Sequence, residues 1–470
     1  MTEDDAFRGL HEECGVFGVY NVENASENIY YGLHSLQHRG QEGCGIVVVD
    51  NAGKLNRKKG EGLVSEIFDN NALAKLPGSS GIGHVRYATS GGGGIENVQP
   101  FLFRHHGGDF ALAHNGNLVN SNELRRYLED KGSIFQSTSD SEVLAHLIKK
   151  DDPDTNRIDV IIRALNMLEG AFAFLIITKD RLYATRDKYG LRPLCIGTLQ
   201  DGYVVASETC ALDIVGAKFL RDVNPGEVVV IDKKGITSYD YSKYKHHYMC
   251  AMEFIYFSRP DSDIEGVNVH AFRKETGRIL YREAPVEADI VVGVPDSSLS
   301  AAIGYAEESH IPYEMGLVKN KYVGRSFIAP SQSLRERAVM MKLSPVRSIV
   351  SGKRVVLIDD SIVRGTTSKK IIKQLREFGA KEIHVRIASP QIISPCFYGV
   401  DISTYGELIS ARHTCEEVCK IIGADSLAFI SEKALFDVSK RFELCTACFT
   451  GKYPTELYSS IYDANKDNKF

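Results

Sequence analysis

Apolar residues follow two different rhythms along the 470-residue chain. In the front half they come in short runs of Val, Ile, Tyr and Phe, punctuated by Gly and Asn. These runs are CGVFGVY from Cys14, GCGIVVVD from Gly43, GIGHVRYATS from Gly81, FALAHNG from Phe110, AFAFLIITKDRLYATRD from Ala171 and GYVVASET from Gly202. Their composition predicts strands. Between them, ASENIYYGLHSLQHRG, NSNELRRYLEDKG and SDSEVLAHLIKK carry apolar residues at helical spacing. In the last of these, Asp140 or Ser141 is expected as the N-cap. Sheets flanked by helices predict a layered αβ domain over residues 14–240.

The stretch GEVVVIDKKGITSYDYSKYKHHYMC, ending at Cys250, is polar and tyrosine-rich and reads as the crossover between domains. Beyond it the pattern becomes regular. ADIVVGVPDS reads as a strand entering a loop, SAAIGYAEESH as a helix, IPYEMGLV as a strand and RVVLIDDSIVRGTTS as a strand and loop. SKKIIKQLREFG then reads as a helix and EIHVRIAS as a strand. Alternation of this kind predicts a parallel sheet, with ligands at the carboxyl ends of its strands. From Gly406 onward the chain reads as mostly helical, completing a second domain over residues 250–470.

Bulk composition narrows the class. A chain of this length needs more than one core. With 43% hydrophobic and 25% charged residues it is an ordinary globular sequence, and a net charge of −5 gives no footprint for nucleic acid. The leading MTEDDAFRGLHEE resembles neither a secretory signal nor a transit peptide, and no run reaches the roughly 18 apolar residues of a membrane span. A cytoplasmic protein with no membrane partner is expected. Its ten cysteines then point to thiols, metal or catalysis rather than disulfides.

Two adjacent acids, Asp359 and Asp360, end the apolar run Val355 to Ile358. Arg364, Gly365, Thr366, Thr367 and Ser368 follow and lead into a helix. Hydroxyls and free N–H groups at a helix start cradle phosphate. The paired carboxylates would repel that phosphate, so they suit the hydroxyls of an attached sugar, or a magnesium ion. A Walker-type site is excluded, because no Gly-Lys pair precedes Ser or Thr.

VVLIDDSIVRGTTS resembles the signature of type I phosphoribosyltransferases. The resemblance implies 5-phosphoribosyl 1-pyrophosphate and magnesium as ligands. Asp359 and Asp360 would hold the ribose hydroxyls or their metal, and Arg364 to Ser368 the 5-phosphate. Pro295, Asp296 and Ser297 resemble the pyrophosphate loop, with Ser297 near the metal. KNKYVGRSFIAPSQSLRE, with Lys319 and Arg325, resembles the loop that closes over substrate.

Near the start, Cys14 follows an acidic leader. Buried strand packing would account for it. So would a nucleophile uncovered by removal of residues 1–13, whose own α-amino group would then serve as base. Arg86 precedes a glycine-rich loop and suits a carboxylate; Asn115 and Gly116 suit an oxyanion; Asp140 suits an amine.

ECGVFG, LQHRGQ, GHVRYAT, HNGNL and TSDSE resemble the N-terminal-nucleophile glutaminases, the class II glutamine amidotransferases. The resemblance implies an αββα sandwich with Cys14 as nucleophile, Arg86 and Asp140 on glutamine, and Asn115 and Gly116 as the oxyanion hole. Joined to a phosphoribosyltransferase domain, it resembles the glutamine phosphoribosylpyrophosphate amidotransferase family. That family implies formation of 5-phosphoribosylamine, glutamate and pyrophosphate at the first step of purine synthesis, with channelled ammonia. It also implies purine nucleotides as feedback inhibitors and a homotetramer. A non-catalytic sensor of phosphoribosyl pyrophosphate is the alternative.

Cys445 and Cys448 form a CxxC pair that needs two more ligands. Cys250, Cys396, Cys415 and Cys419 are candidates, with His413 close by, and spacing suits zinc as well as iron. The resemblance to the leader-bearing branch of the family implies one [4Fe-4S] cluster on Cys250, Cys396, Cys445 and Cys448.

Overall fold

The computed structural model describes residues 14–87, 94–105, 108–149, 157–244, 246–320, 343–402 and 404–455. The leader, most of the glycine run at Gly91 to Gly94, and the closing loop beyond Asn320 with its Arg325 lie outside the described residues.

The front half is two antiparallel sheets stacked face to face. One has seven strands, in the spatial order Lys218–Asp222, Cys195–Leu199, Gly202–Ala206, Gly15–Tyr20, Ser80–Arg86, Gly43–Val49, Leu55–Glu61. The other has six: Gly235–Asp240, Glu227–Asp232, Leu182–Arg186, Gly170–Thr178, Phe110–Leu118, Phe101–Phe103. Side-chain alternation explains the stacking. In the first strand Val16 and Tyr20 enter the layer between the sheets with Leu175 and Ile177, while Phe17 and Val19 pack under the helix Ala25–Ser35. Both faces are covered, so the strand reads as one continuous apolar run. Gly32 lets that helix press onto the sheet, because a Cβ there would lie 2.4 Å from the Phe17 ring. Helices Glu142–Lys149 and Arg157–Met167 cover the second sheet, completing an αββα sandwich.

The back half holds a four-stranded parallel sheet, in the order Ile290–Gly293, Arg354–Asp359, Glu382–Ile387, Ser426–Phe429. Helices Val269–Glu283 and Leu299–Ser309 pack on one face; Thr366–Glu377 and Cys415–Ile422 pack on the other.

Several sequence expectations need correction. The polar stretch before Cys250 is not all crossover: Glu227–Asp232 and Gly235–Asp240 form a hairpin at the edge of the six-stranded sheet. Gly235–Asp240 looks polar because an edge strand faces water. IPYEMGLV is not a strand of the parallel sheet. Tyr313 makes one bridge to Val291, and Leu317–Lys319 pairs instead with Leu343–Pro345. The segment beyond Gly406 is mostly helical as expected, with helices Ile409–Arg412, Cys415–Ile422, Glu432–Ser439 and Ala447–Thr450, but Ser426–Phe429 within it supplies the fourth parallel strand. Asp140 does not cap its helix with its side chain; its carboxylate accepts from the Leu118 N–H at 2.8 Å.

Buried charge joins the two halves. Arg39, fully buried, donates to Glu208 of the front half and to Glu253 and Ser258 of the back half. Arg192 reaches Glu253 at 3.4 Å and the Tyr398 carbonyl.

Candidate functional site

Cys14 stands at the start of the central strand, where Gly15 pairs with Val85, so its thiol lies beside Arg86. The Cys14 thiol donates to the Tyr87 carbonyl at 3.6 Å. Burial pushes the thiol up to about 11, with Asp140 and Glu42 adding to the rise and Arg86 opposing it. The structure therefore brings Cys14, Arg86 and Asp140 into one electrostatic neighbourhood. Gly40 of the LQHRGQ motif permits this packing, because a Cβ there would lie 2.6 Å from the Arg86 carbonyl carbon.

Asn115 and Gly116 sit on the strand Phe110–Leu118. Asn115 is completely buried, and neither atom of its amide has a hydrogen-bond partner. A buried amide left unpaired is costly, so a hydrogen-bonding ligand at this point would satisfy it. Gly116 has φ 138°, and a Cβ there would lie 2.1 Å from the Ala171 carbonyl oxygen. Asp140 is held below the usual carboxylate range: burial would raise it, but His114 and the hydrogen bonds from Leu118 and Ser141 outweigh that. It is anionic at neutral pH, as an amine ligand requires. Two histidines that the motif reading passed over brace this region. His114 Nδ1 lies 2.8 Å from Ser141 Oγ, and His84 Nε2 lies 3.0 Å from the His114 carbonyl. Burial takes His84 down to about 3, so it is a neutral brace.

In the back half, two adjacent parallel strands deliver their carboxyl-end loops to one spot. Ser297 donates to Asp360, and Ser298 Oγ lies 3.2 Å from Asp359 Oδ1. Burial and the neighbouring Asp360 push Asp359 well above the usual carboxylate range; burial also raises Asp360. Arg273, on the helix behind, pulls Asp360 the other way. No local pattern distinguishes Arg273 from a surface arginine, so it was missed. Gly365, at φ 73°, turns the loop into the helix Thr366–Glu377, whose start carries no side-chain cap, leaving its first N–H groups for an anion. Thr366 is half-buried, Thr367 exposed and Ser368 buried at that start. Arg364 pairs with Glu407 at 2.7 Å, and Lys319 with Asp296 at 2.7 Å. The paired acids and the hydroxyl of Ser297 form an oxygen set that suits a hard divalent cation.

The four cysteines converge through backbone pairing. Tyr248–Cys250 lies parallel to Glu443–Cys445, with Cys250 opposite Cys445. Cys448 follows on the helix Ala447–Thr450, and its carbonyl accepts from Ile393 and Ser394, which brings in Cys396. All four line one small cavity with Arg192, Tyr398 and Ala447. Among the described residues no three His, Cys, Asp or Glu side chains are grouped to hold a metal ion. The four thiols share the lining of one cavity, a sulfur set that suits a soft metal centre. Burial raises all four thiols, so they stay protonated at neutral pH unless a metal takes the place of the protons. Cys415 and Cys419 are elsewhere, bonded to the carbonyls of Leu427 and Ala424.

Comparison with known proteins matches these two halves. Residues 86–213 match the glutamine amidotransferase domain family, and residues 274–389 the phosphoribosyl transferase domain family. The chain is 58% identical to the amidophosphoribosyltransferase of Bacillus subtilis, over 96% of each. It is 51% identical to that of Staphylococcus aureus, over 98% of this chain and 94% of the relative. A solved glutamine phosphoribosylpyrophosphate amidotransferase from B. subtilis, complexed with ADP and GMP, superposes with TM-score 0.91 at 57% identity, covering 95% of this chain and 98% of that one. A structure described as the allosteric regulatory enzyme of purine biosynthesis gives the same TM-score and identity, covering 95% and 97%.

Proposed function

The chain belongs to the amidophosphoribosyltransferase family, and from that premise we propose how its residues divide the reaction. The protein is a glutamine phosphoribosylpyrophosphate amidotransferase and acts at the first step of purine biosynthesis. Glutamine, 5-phosphoribosyl 1-pyrophosphate and water give 5-phosphoribosylamine, glutamate and pyrophosphate.

Residues 14–240 form the glutaminase and 250–470 the transferase. Removal of residues 1–13 gives Cys14 a free α-amino group. That amine takes the thiol proton, and the sulfur attacks the side-chain carbonyl of glutamine. Arg86 holds the substrate carboxylate and Asp140 its amine. The oxygen of the tetrahedral intermediate is stabilised by the Asn115 amide and the Gly116 N–H. The unpaired, fully buried amide of Asn115 is the observation that carries this reading. Ammonia leaves, and water hydrolyses the thioester to glutamate.

Ammonia then passes within the protein to the second site, where it meets C1 of the ribose unprotonated. Asp359 and Asp360 hold the ribose hydroxyls and offset positive charge at C1. Thr366, Thr367, Ser368 and Gly365 hold the 5-phosphate with Arg364; Pro295, Asp296 and Ser297 cradle the pyrophosphate; Lys319 and Arg325 belong to the closing loop. Magnesium, held by Asp359, Asp360 and Ser297, would neutralise charge on the departing pyrophosphate. Cys250, Cys396, Cys445 and Cys448 would hold a [4Fe-4S] cluster in a structural role. The relative's complex with ADP and GMP supports purine nucleotides as feedback ligands. A homotetramer is proposed from the family. No helix among the described residues is long and apolar enough to cross a membrane; a cytoplasmic location is proposed from the family.

The test is pyrophosphate release by anaerobically purified protein, with glutamine and separately with ammonia. Release with both supports two cooperating sites. Release with ammonia alone would remove the proposed glutaminase role of the front half.

A smaller effect is expected at the acidic pair. Asp359→Asn keeps an oxygen that accepts from Ser298 and from the Asp360 N–H. Transfer should fall about 100-fold, as for loss of one group that stabilises developing charge. Stability should move oppositely. The native pKa of Asp359 is raised, so its contribution to folding is present at acid pH and is lost as pH rises through the native value. Asparagine removes that loss, so the variant should gain about 1 kcal/mol at pH 8 and little near pH 4. Calorimetric melts at the two pH values would check it; equal melting at pH 8 would refute the buried-charge account.

A further inference from the structure

The glutaminase oxyanion strand rests on the segment that begins at Cys396. Asn117, next to Gly116, donates from its side-chain amide to the Phe397 carbonyl at 2.9 Å. Two glycines from different halves of the chain then meet. A Cβ on Gly399 would lie 3.4 Å from the Gly116 carbonyl carbon, 3.6 Å from its carbonyl oxygen and 3.1 Å from Arg192 Nη2. Gly399 also has φ 112°, a conformation that other residues adopt only with strain. Between these contacts, the Tyr398 carbonyl accepts from the buried Arg192, and the Tyr398 N–H reaches Cys396 Sγ at 3.4 Å. Arg192 and Tyr398 line the cavity shared by the four cysteines. Phe397, Tyr398 and Gly399 therefore span from a cavity cysteine to the oxyanion strand in three residues.

We propose that Gly399 and Asn117 are positioning residues for glutamine hydrolysis, setting the oxyanion strand from the cysteine cavity through Phe397–Gly399. The inference rests on the reading of Cys14 as nucleophile and Asn115 with Gly116 as the oxyanion hole. Neither Gly399 nor Asn117 touches substrate. Each fixes where the Asn115 amide and the Gly116 N–H stand. A shift there is felt where negative charge develops on the substrate oxygen, and much less where intact glutamine is held by Arg86 and Asp140.

The experiment compares Gly399→Ala and Asn117→Ala with the unaltered holoenzyme. Because Gly399→Ala adds a Cβ in a tight place, Asn117→Ala serves as the milder variant should the first fail to fold. Visible absorbance of the cysteine-bound cluster reports whether the cavity is intact. Expected is a fall in glutamine-dependent kcat of about tenfold or more for Gly399→Ala and a few-fold for Asn117→Ala, with KM for glutamine nearly constant. Ammonia-dependent pyrophosphate release should stay within about twofold in both. A second readout is the affinity for glutamate γ-semialdehyde, an aldehyde that adds the Cys14 sulfur to form a tetrahedral hemithioacetal. Its inhibition constant should rise in parallel with the loss in kcat, whereas a merely loosened fold would weaken glutamine and aldehyde alike. Unchanged aldehyde affinity, or equal loss of ammonia- and glutamine-dependent rates, would overturn the proposal. Cys14→Ala measured alongside separates the two ideas. If it retains glutamine activity, the nucleophile assignment has failed. If it loses that activity while both positioning variants keep theirs, only the positioning role has failed.

Discussion

Replacing Cys14 with alanine is expected to lower glutamine-dependent pyrophosphate release by at least ~1,000-fold and to leave ammonia-dependent release within about twofold. The asymmetry follows from two separate sites. The sulfur is needed only to release ammonia, and added ammonia bypasses that step. The thiol's own chemistry sharpens the expectation. With its pKa pushed up to about 11 by burial, the Cys14 thiol is almost wholly protonated at neutral pH. The cation that lowers it, Arg86, is proposed to hold substrate. The proposed base is the α-amino group that removal of residues 1–13 would expose. Mass spectrometry of the purified protein should find Cys14 at the N-terminus of the active species. Full glutamine activity in a chain that retains its leader would rule out the α-amine as base.

Arg39→Met is expected to destabilise the protein by about 3–5 kcal/mol, the cost of leaving buried charges unpaired. Arg39 is fully buried and bridges Glu208 to Glu253, both fully buried. Burial alone would lower the guanidinium's pKa, but the two carboxylates raise it on balance. Glu208 in turn is held well below its ordinary value: burial works against this, and Arg39 and His38 outweigh it. A depressed carboxylate stabilises the fold above its unfolded pKa and loses that contribution as pH falls through the native value. The penalty in Arg39→Met should therefore be full at pH 7 and shrink in strong acid, where Glu208 is neutral in both proteins. Methionine retains the apolar stem, so the loss reports the charge rather than the packing. The chain has no tryptophan, so calorimetry or tyrosine fluorescence must follow the melt. Because Arg39 joins the two halves, the variant should also show two resolved transitions. A single transition shifted by under ~1 kcal/mol would show that the bridge contributes only a surface-like pair.

The two candidate sites differ in how far the sequence exposes them. The phosphate loop is written in consecutive residues, since one strand, one turn and one helix start supply Asp359 to Ser368. Local backbone geometry is enough to predict it. The proposed glutaminase residues Cys14, Arg86, Asn115 and Asp140 come from four separated segments, so their chemistry suggested a shared site and the family resemblance gave each a role. The structure adds what the motifs could not carry: the unpaired Asn115 amide and the braces His84 and His114. The polar strands Leu55–Glu61 and Lys218–Asp222 escaped the hydrophobic reading because they lie at the two edges of the seven-stranded sheet. Their pairing comes from a neighbour rather than from their own pattern.

By itself the sequence determined the two-part architecture, the phosphate loop and the identities of the residues with chemistry to offer. It could do so because strand and helix periodicity, glycine turns and acid pairs act over a few neighbouring residues. Only the tertiary structure decided which distant groups share a space. It set Cys250 opposite Cys445, joined Arg39 to Glu208 and Glu253, and rested Gly399 on Gly116. Such contacts depend on how whole sheets and helices pack to bury both faces, and no local pattern records that packing.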